Sequence, residues 1–282
     1  MKNQSGLQNQ DPATVSGFGD EWSRFDQSEL NEQKLRGQFE RYFHIFPWES
    51  LQGNAEGFDA GCGSGRWARL VAPRVGKLYC LDASREALDV ARRNLRKFRN
   101  CEFHNTSIND APLPENSMDF GYSLGVLHHI PDTLQALKAL VRLLKPGGLL
   151  LVYIYYAFDN RPYWYRWLWK ISDVMRRIIS RLPYPGRYMV SQVIAMTVYY
   201  PLAKTARLLE YIGMEVESFP LSAYRGHSFY TMRTDALDRF GTHLEKRFSR
   251  ELIERMMLDA GLEDIRFSES VPYWCAVGYK RK

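Results

Sequence analysis

The segment DAGCGSG at residues 59–65 decides the fold prediction for this chain of 282 residues. It follows a strand-like run at 57–60 and precedes a helix-like pattern at 66–71, so we expect it at a strand-to-helix turn. Glycines at alternate positions adopt backbone torsions closed to other residues and let a ligand approach the main chain. Dinucleotide enzymes and ordinary tight turns also contain glycine loops, so this loop alone predicts a ligand site without naming the ligand.

An alternation of strand and helix patterns surrounds the loop. Ser84 is a predicted N-cap for a helix over 85–98, and Ser249 opens another that ends at Gly261. The predicted strands are 57–60, 77–81, 118–124, 149–156, 265–268 and 274–279. Strands that alternate with helices predict an α/β fold with a doubly wound, mainly parallel sheet covered on both faces.

Two acidic residues narrow the choice of ligand. Asp82 ends the next predicted strand, 21 residues after Gly61, and a carboxylate at that spacing can accept both hydroxyls of a ribose. Asp59 precedes the first glycine, where a carboxylate would repel a pyrophosphate. A cationic ligand that carries an amino acid group tolerates that carboxylate, and the pattern favours such a ligand.

Five segments together resemble the class I S-adenosylmethionine-dependent methyltransferases, in the order and spacing of that family. They are DAGCGSG at 59–65, LDAS at 81–84, APLPENSMDF at 111–120, SLGVLHHIPD at 123–132 and LLKPGGLLLVY at 143–153. The resemblance implies a Rossmann-like sheet of seven strands and S-adenosyl-L-methionine as the cofactor. It also implies that the reaction is transfer of a methyl group.

The resemblance gives the residues around the glycine loop their expected roles. Asp59 would lie near the methionine amino group, directly or through water. Gly61 and Gly63 would pass under the methionine and the ribose, whereas Gly65 would pack helix against strand. Asp82 would hold the ribose diol.

Further matching residues would surround the adenine and the reactive methyl group. Ala83 would lie beside the adenine. Many family members contact the adenine amine with an aspartate, and Ser107 takes that position here, followed by Ile108. A serine can still bond to the adenine edge. Ser123 and Leu124, at the end of the fourth strand, would border the methionine and its methyl group.

A histidine pair follows the fourth strand, where the acceptor pocket of the family opens. We name His128 as the catalytic candidate, with His129 beside it, because imidazole titrates near neutrality and could take a proton from the acceptor. The alternative is that the pair caps the following helix or packs against the cofactor. Positioning and desolvation can support methyl transfer without a strong base.

The N-terminal part divides into a polar tail and a helical lead-in. Residues 1–17 are rich in Asn, Gln, Ser and Gly and predict a flexible tail. Residues 18–52 mix charged and aromatic residues at helical spacing, and FGDEWSRF within them resembles a stretch in some methyltransferases near sugar and polysaccharide pathways. Phe18, Trp22 and Phe25 would share one helical face, which would either close over the cofactor or dock the helix on the sheet.

The net charge of +6 comes from one segment. Residues 161–187 contain seven basic residues and one acidic residue, which account for the whole excess. Helical stepping separates an apolar side, Trp164, Leu168, Ile171, Met175, Ile178, Ile179 and Leu182, from a basic side, Arg166, Lys170, Arg177 and Arg181.

Three interpretations of this basic helix stay open. The helix buries its apolar side on its own domain, or residues 162–182 lie on an anionic membrane surface, or the helix meets a phosphate-rich acceptor. Nucleic acid is disfavoured because the charge is local and no second basic patch appears.

These patterns define the expected domains and location. Residues 53–157 plus 248–282 form the predicted S-adenosylmethionine-binding domain. Residues 158–247 form an inserted, mainly helical cap, irregular from 213 onward, and we expect the acceptor between sheet and cap. Four separated cysteines without a C-x-x-C pair fit neither a zinc site nor a disulfide scaffold, so we expect a cytoplasmic protein without a metal and with optional peripheral membrane contact.

The predicted function is methyl transfer to a small-molecule acceptor, such as a sugar or a lipid-linked intermediate. An RNA or protein methyltransferase is one alternative. An inactive cofactor-binding module is another, which the intact glycines and Asp82 disfavour.

Overall fold

The computed structural model describes residues 9–25 and 32–282, and the chain divides into two compact units. The first unit contains the described residues through Ala157 together with Leu244–Lys282. The second unit is the intervening segment Phe158–His243.

Within the described residues, a seven-stranded sheet with the order β3-β2-β1-β4-β5-β7-β6 forms the centre of the first unit. The strands are β1 (Glu56–Ala60), β2 (Lys77–Asp82), β3 (Cys101–Asn105), β4 (Met118–Leu124), β5 (Leu144–Tyr153), β6 (Leu262–Phe267) and β7 (Cys275–Lys280). β1 to β5 are parallel, and β7 runs antiparallel to β5 and β6. The strand order reverses between β1 and β4, and open α/β sheets bind ligands at such a switch point.

The helices are α1 (Pro12–Arg24), α2 (Glu32–Phe43), α3 (Ala68–Val71), α4 (Arg85–Asn94), α5 (Thr133–Leu143), α6 (Tyr163–Ile179), α7 (Tyr184–Ile194), α8 (Tyr200–Tyr211), α9 (Phe229–Gly241) and α10 (Arg250–Asp259). A π-helical turn, Ala195–Tyr199, joins α7 to α8. In the first unit, α5 and α10 contribute to one buried apolar cluster, whereas α2, α3 and α4 contribute to another. These two clusters confirm the predicted α/β fold with a doubly wound, Rossmann-like sheet.

The short first strand packs by pairing glycines with phenylalanines. A Cβ atom on Gly57 would lie 2.3 Å from the ring of Phe120, and one on Gly121 would lie 2.1 Å from the ring of Phe58. These residues face each other across β1 and β4, with Gly57 opposite Phe120 and Phe58 opposite Gly121. The two rings supply the apolar volume that branched residues usually supply in a buried strand.

The structure corrects the predicted N-terminal tail. We expected residues 1–17 to be flexible, but α1 begins at Pro12 because the Asp11 side chain accepts a hydrogen bond from the Thr14 N–H. Asn9 is buried, and its side-chain amide accepts from the Asp132 N–H at 2.6 Å and donates to the Asp132 carbonyl at 2.9 Å. Residues 1–8 lie outside the described part of the chain.

Residues 213–247 were expected to be irregular, and α9 shows that this expectation was wrong. Ser228 caps α9 by accepting from the Thr231 N–H. Met232, Ala236 and Phe240 recur at a spacing of four and pack into the apolar cluster of the second unit.

Candidate functional site

A cavity of about 990 Å³, part of it open to solvent, lies at the switch point in the first unit. Its walls come from α1, the glycine loop after β1, the end of β2, the turn after β3 and the turn after β4. The carboxyl ends of the parallel strands therefore open into this cavity.

The predicted cofactor residues divide between the cavity wall and the layer behind it. Those that line the cavity are Gly61, Gly63, Asp82, Ala83, Ser107, Ile108 and Leu124. Asp59 and Ser123 are buried behind the wall, and Gly65 lies against Leu95 just beyond the end of α4.

The glycine loop has the left-handed torsions that its sequence predicted. Gly61, Gly63 and Gly65 have φ values of 79°, 54° and 76°. A Cβ on Gly61 would lie 2.4 Å from Val126, and one on Gly63 would lie 3.0 Å from the indole of Trp22. Side chains at these two positions would therefore strain the loop and fill its surface, and at Gly61 and Gly63 bare main chain faces the cavity.

Asp82 is held by main-chain donors. Its two carboxylate oxygens accept from the Gly63 N–H and the Ser84 N–H, each at 2.8 Å. Burial raises the pKa of Asp82 to about 6, and the two N–H groups oppose that shift. Because a carboxylate can accept about four hydrogen bonds, lone pairs remain for a ribose diol.

Asp59 is fully buried behind the loop. The Tyr122 hydroxyl donates to its Oδ2 at 3.0 Å. Burial raises the pKa of Asp59 to about 8 despite this hydrogen bond, so the side chain is largely protonated at neutral pH. Ser123 is equally buried, and its hydroxyl donates to the Ala60 carbonyl at 2.9 Å. Both side chains therefore contact the strand ends and not the cavity.

Ser107 presents an acceptor to the cavity. Its Oγ donates to the Asp110 carboxylate at 2.7 Å and accepts from the Asp110 N–H at 3.2 Å. One lone pair of the hydroxyl is left, which suits an amine donor such as the edge of adenine.

Helix α1 brings two of the three aromatic residues named from its sequence to the cavity. Trp22 covers Gly63, and Phe18 meets His129 edge to face with the ring centroids 5.0 Å apart. Phe25 is buried and does not line the cavity. In the loop itself, the Ser64 hydroxyl is buried at the cavity and has no hydrogen-bond partner among the described residues.

His128, our catalytic candidate, does not border the cavity. It is fully buried and its ring stacks on Tyr155 at 3.7 Å. Its Nδ1 accepts from the Tyr155 N–H at 3.3 Å. Desolvation, followed by the neighbouring His129 and Arg247, holds the pKa of His128 well below its usual value, so the ring is neutral. The structure therefore places His128 behind the site.

His129 lines the cavity in its place. Its Nδ1 lies 2.7 Å from the Leu244 carbonyl, which can only accept, so Nδ1 carries the proton. That tautomer has its lone pair on Nε2, which is buried without a partner among the described residues. A fixed tautomer with an unpartnered nitrogen, on a residue that lines the cavity, is what a proton acceptor requires.

Comparisons with known proteins agree with this geometry. Residues 58–152 match the family described as "Methyltransferase domain". The chain is 29% identical over 112 residues to a demethylmenaquinone methyltransferase of Staphylococcus epidermidis, covering 38% of this chain and 46% of that protein. It is 33% identical over 98 residues to the enzyme of the same name from Listeria welshimeri, covering 33% and 41%. The matches thus span less than half the length of these curated relatives.

A solved structure extends the similarity of fold beyond this segment. The methyltransferase in complex with the Trm112 methyltransferase activator of Haloferax volcanii superposes with a TM-score of 0.52 and 15% identity, covering 94% of this chain and 98% of that one. Residues 58–152 are therefore a methyltransferase domain of the S-adenosylmethionine-dependent class, as the sequence predicted, and the solved structure shares the fold around it. S-adenosylmethionine is the cofactor of this class.

The residues present fit that cofactor. Bare main chain faces the cavity at Gly61 and Gly63, the Asp82 carboxylate has lone pairs for a diol, and the buried Ser64 hydroxyl has no partner within the described residues. Apolar and aromatic side chains form most of the remaining wall. Among the described residues, no group of His, Cys, Asp and Glu is arranged to hold a metal ion.

Proposed function

We propose that this protein transfers a methyl group from S-adenosylmethionine to a small molecule bound in the first unit. The observation that carries the proposal is that Asp82 and His129 line one cavity, and that the Nε2 of His129 has no hydrogen-bond partner among the described residues. The bound cofactor supplies an electrophilic methyl group on a sulfonium. Asp82 and Ser107 would hold its ribose and adenine.

The chain's own contribution to the reaction would be positioning and proton acceptance. The Leu244 carbonyl fixes the His129 proton on Nδ1, which leaves Nε2 to take a proton from an oxygen or nitrogen of the acceptor. His128 would hold the ring of His129 in place, since the two centroids are 4.0 Å apart. Trp22 and Phe18 would exclude water from one wall of the cavity.

Two features favour a small acceptor over RNA or protein. The curated relatives are named for methylation of a small molecule, demethylmenaquinone. The wall near His129 is apolar, with Phe18, Val126 and Ile130. A sugar or a lipid-linked intermediate is the acceptor class that we propose, and a lipid-linked acceptor would bring residues 162–182 to an anionic membrane.

Isothermal titration calorimetry with S-adenosylmethionine tests the cofactor assignment. We expect Asp82→Asn to weaken binding about tenfold or more, because it removes a charged acceptor for the diol. Asp89→Asn, an exposed carboxylate on α4, is the matched control and should bind like the wild type. Equal affinities for wild type and Asp82→Asn would contradict the assignment.

A second experiment identifies the acceptor class. Incubation of the protein with methyl-labelled cofactor and separate lipid, polar-metabolite, RNA and protein extracts should label a small molecule. His129→Phe should abolish that labelling while cofactor binding persists. Labelling confined to RNA or protein would contradict the small-molecule proposal.

A further inference from the structure

Helix α6 of the second unit buries a side that carries charged residues and exposes most of its apolar residues. Its buried side carries Asp173, Arg176 and Ile179. Asp173 accepts from Arg176 Nε at 2.8 Å, and the Arg239 guanidinium lies 3.8 Å away. Arg176 also donates to the carbonyls of Thr242 and His243. The unit thus holds this helix mainly through buried ion pairs and hydrogen bonds.

The apolar side of α6 faces outward. Tyr163 is 82% exposed, Trp167 67%, Ile178 63% and Ile171 56%. Of the apolar side predicted from the sequence, only Ile179 is buried. Within the second unit, this helix therefore does not bury the apolar side predicted from the sequence.

Exposed apolar residues continue beyond α6. Met189 and Val193 on α7 and Met196 in the π-helical turn recur at intervals of four and three, and all are more than half exposed. On α8, Leu208 and Tyr211 are exposed as well. Single exposed apolar residues are ordinary, but runs of them on successive helices mark an interaction surface.

The charges around the exposed side of α6 are all basic. Helical stepping of about 100° per residue places Lys170, Arg177 and Arg181 next to the exposed apolar arc, and all three are exposed. Asp173 is the only acidic residue on α6, and it is covered. The outer side of the helix therefore combines apolar and aromatic side chains with positive charge alone.

We propose that the exposed apolar side chains of α6, α7 and α8, named here the outer apolar face, insert into the headgroup and acyl boundary of an anionic lipid bilayer. This inference rests on the proposed membrane contact of residues 162–182. It extends that contact to three helices and changes its physical basis from charge attraction to apolar insertion. Exposed Tyr163, Trp164 and Trp167 suit the headgroup level, and the basic rim suits anionic lipid. No helix among the described residues is long and apolar enough to cross a membrane, so the helices would lie within one leaflet.

Sedimentation with vesicles of equal parts phosphatidylcholine and phosphatidylglycerol tests the proposal. We expect the full chain to pellet at low salt and to keep a substantial part of its binding at about 0.5 M NaCl, where exposed charges are screened. The double variant Ile171→Glu/Ile178→Glu should lower vesicle affinity about a hundredfold, because it places carboxylates in the apolar boundary. The double variant Lys170→Gln/Arg181→Gln should lose affinity only at low salt.

Controls separate insertion from misfolding and from protein association. Leu252→Glu/Leu258→Glu on α10 changes two exposed apolar residues of the first unit and should bind vesicles like the wild type. All variants should bind S-adenosylmethionine with unchanged affinity, so loss of vesicle binding alone cannot be confused with failure of the proposed methyl transfer. Three results would each overturn the inference: no pelleting of the wild type, pelleting that vanishes fully in high salt, or a stable dimer that only Ile171→Glu/Ile178→Glu dissociates.

Discussion

Asp59 and Asp82 end neighbouring parallel strands, yet burial gives them different charges at neutral pH. Asp82, with a pKa raised to about 6, is mostly ionised, whereas Asp59, with a pKa raised to about 8, is mostly protonated. Two main-chain N–H groups donate to the Asp82 carboxylate, and one tyrosine hydroxyl donates to the Asp59 side chain. Burial raises both pKa values; two main-chain donors oppose it at Asp82, whereas at Asp59 one hydroxyl opposes it and the nearby Asp82 charge adds to it.

Cofactor affinity should therefore fall in mild acid. As the pH drops through about 6, Asp82 takes up a proton and loses capacity to accept from the diol, so affinity at pH 5 should be about tenfold lower than at pH 7.5. Calorimetry at the two pH values measures this change. The affinity of Asp82→Asn should vary much less over the same range, and a parallel fall in both proteins would contradict the assignment.

Asp59 should make the stability of the protein without cofactor depend on pH in the opposite sense to an ordinary ion-paired carboxylate. Its folded pKa lies above its unfolded pKa near 3.8, so the folded state binds the proton more tightly and stability falls as the pH rises from about 4 to 8. Asp59→Asn keeps an acceptor for Tyr122 and should flatten this part of the profile. Thermal unfolding at a series of pH values provides the measurement, and identical slopes in both proteins would contradict it.

The two histidines should differ sharply in their effect on turnover. His129→Gln should lower kcat about 10²–10⁴-fold, because the unpartnered imidazole nitrogen is lost, with cofactor affinity preserved. His128→Gln should act mainly through stability, since that ring only packs behind the site. Steady-state kinetics with the identified acceptor checks both, and a larger kcat loss in His128→Gln would reverse the assignment.

At the scale of single elements, helix α1 begins within the polar N-terminal residues and forms part of the cavity wall. Asn9 and Asp11 fix the start of the helix, and Trp22 on it covers the loop at Gly63. Trp22→Ala should weaken S-adenosylmethionine binding about tenfold by removing apolar contact. Trp164→Ala, on the exposed side of α6, is the matched control and should bind normally in calorimetry. Normal binding by Trp22→Ala would show that α1 does not cover the cofactor.

The sequence predicted those strands and helices that have a clear apolar pattern. Six strands follow from apolar runs, but β3, with Cys101-Glu102-Phe103-His104-Asn105, sits at the sheet edge, is mostly polar and was missed. Helix α9 was missed because its start depends on one cap, Ser228, and on contacts within the second unit. The sequence could not decide between His128 and His129. The two residues are adjacent in the chain, and only the structure shows that the His129 ring lines the cavity.

At the scale of the whole molecule, the cavity belongs to the first unit and the outer apolar face belongs to the second unit. All cavity residues belong to the first unit, whereas the ion pairs around Asp173 belong to the second. Several basic side chains of residues 161–187 make hydrogen bonds inside the second unit. Arg176 is buried, and Arg166 donates to the carbonyls of Phe158 and Asp159.

Asp173→Ala should therefore destabilise the second unit without changing the cofactor site. The variant leaves the Arg176 guanidinium buried without its carboxylate, which costs about 3 kcal/mol in comparable pairs. Differential scanning calorimetry should show the loss of stability, and titration at low temperature should show unchanged affinity for S-adenosylmethionine. Cofactor binding lost together with folding at that temperature would contradict the independence of the site.

The position of β7 has a consequence for biosynthesis. β7 lies between β5 and β6 in the sheet, yet it follows the entire second unit in the chain. A ribosome must therefore release Cys275–Lys280 before the sheet can close, and until then β5 has one open edge. We expect nascent chains in which the second unit has emerged from the ribosome, but β7 has not, to bind chaperones through that edge.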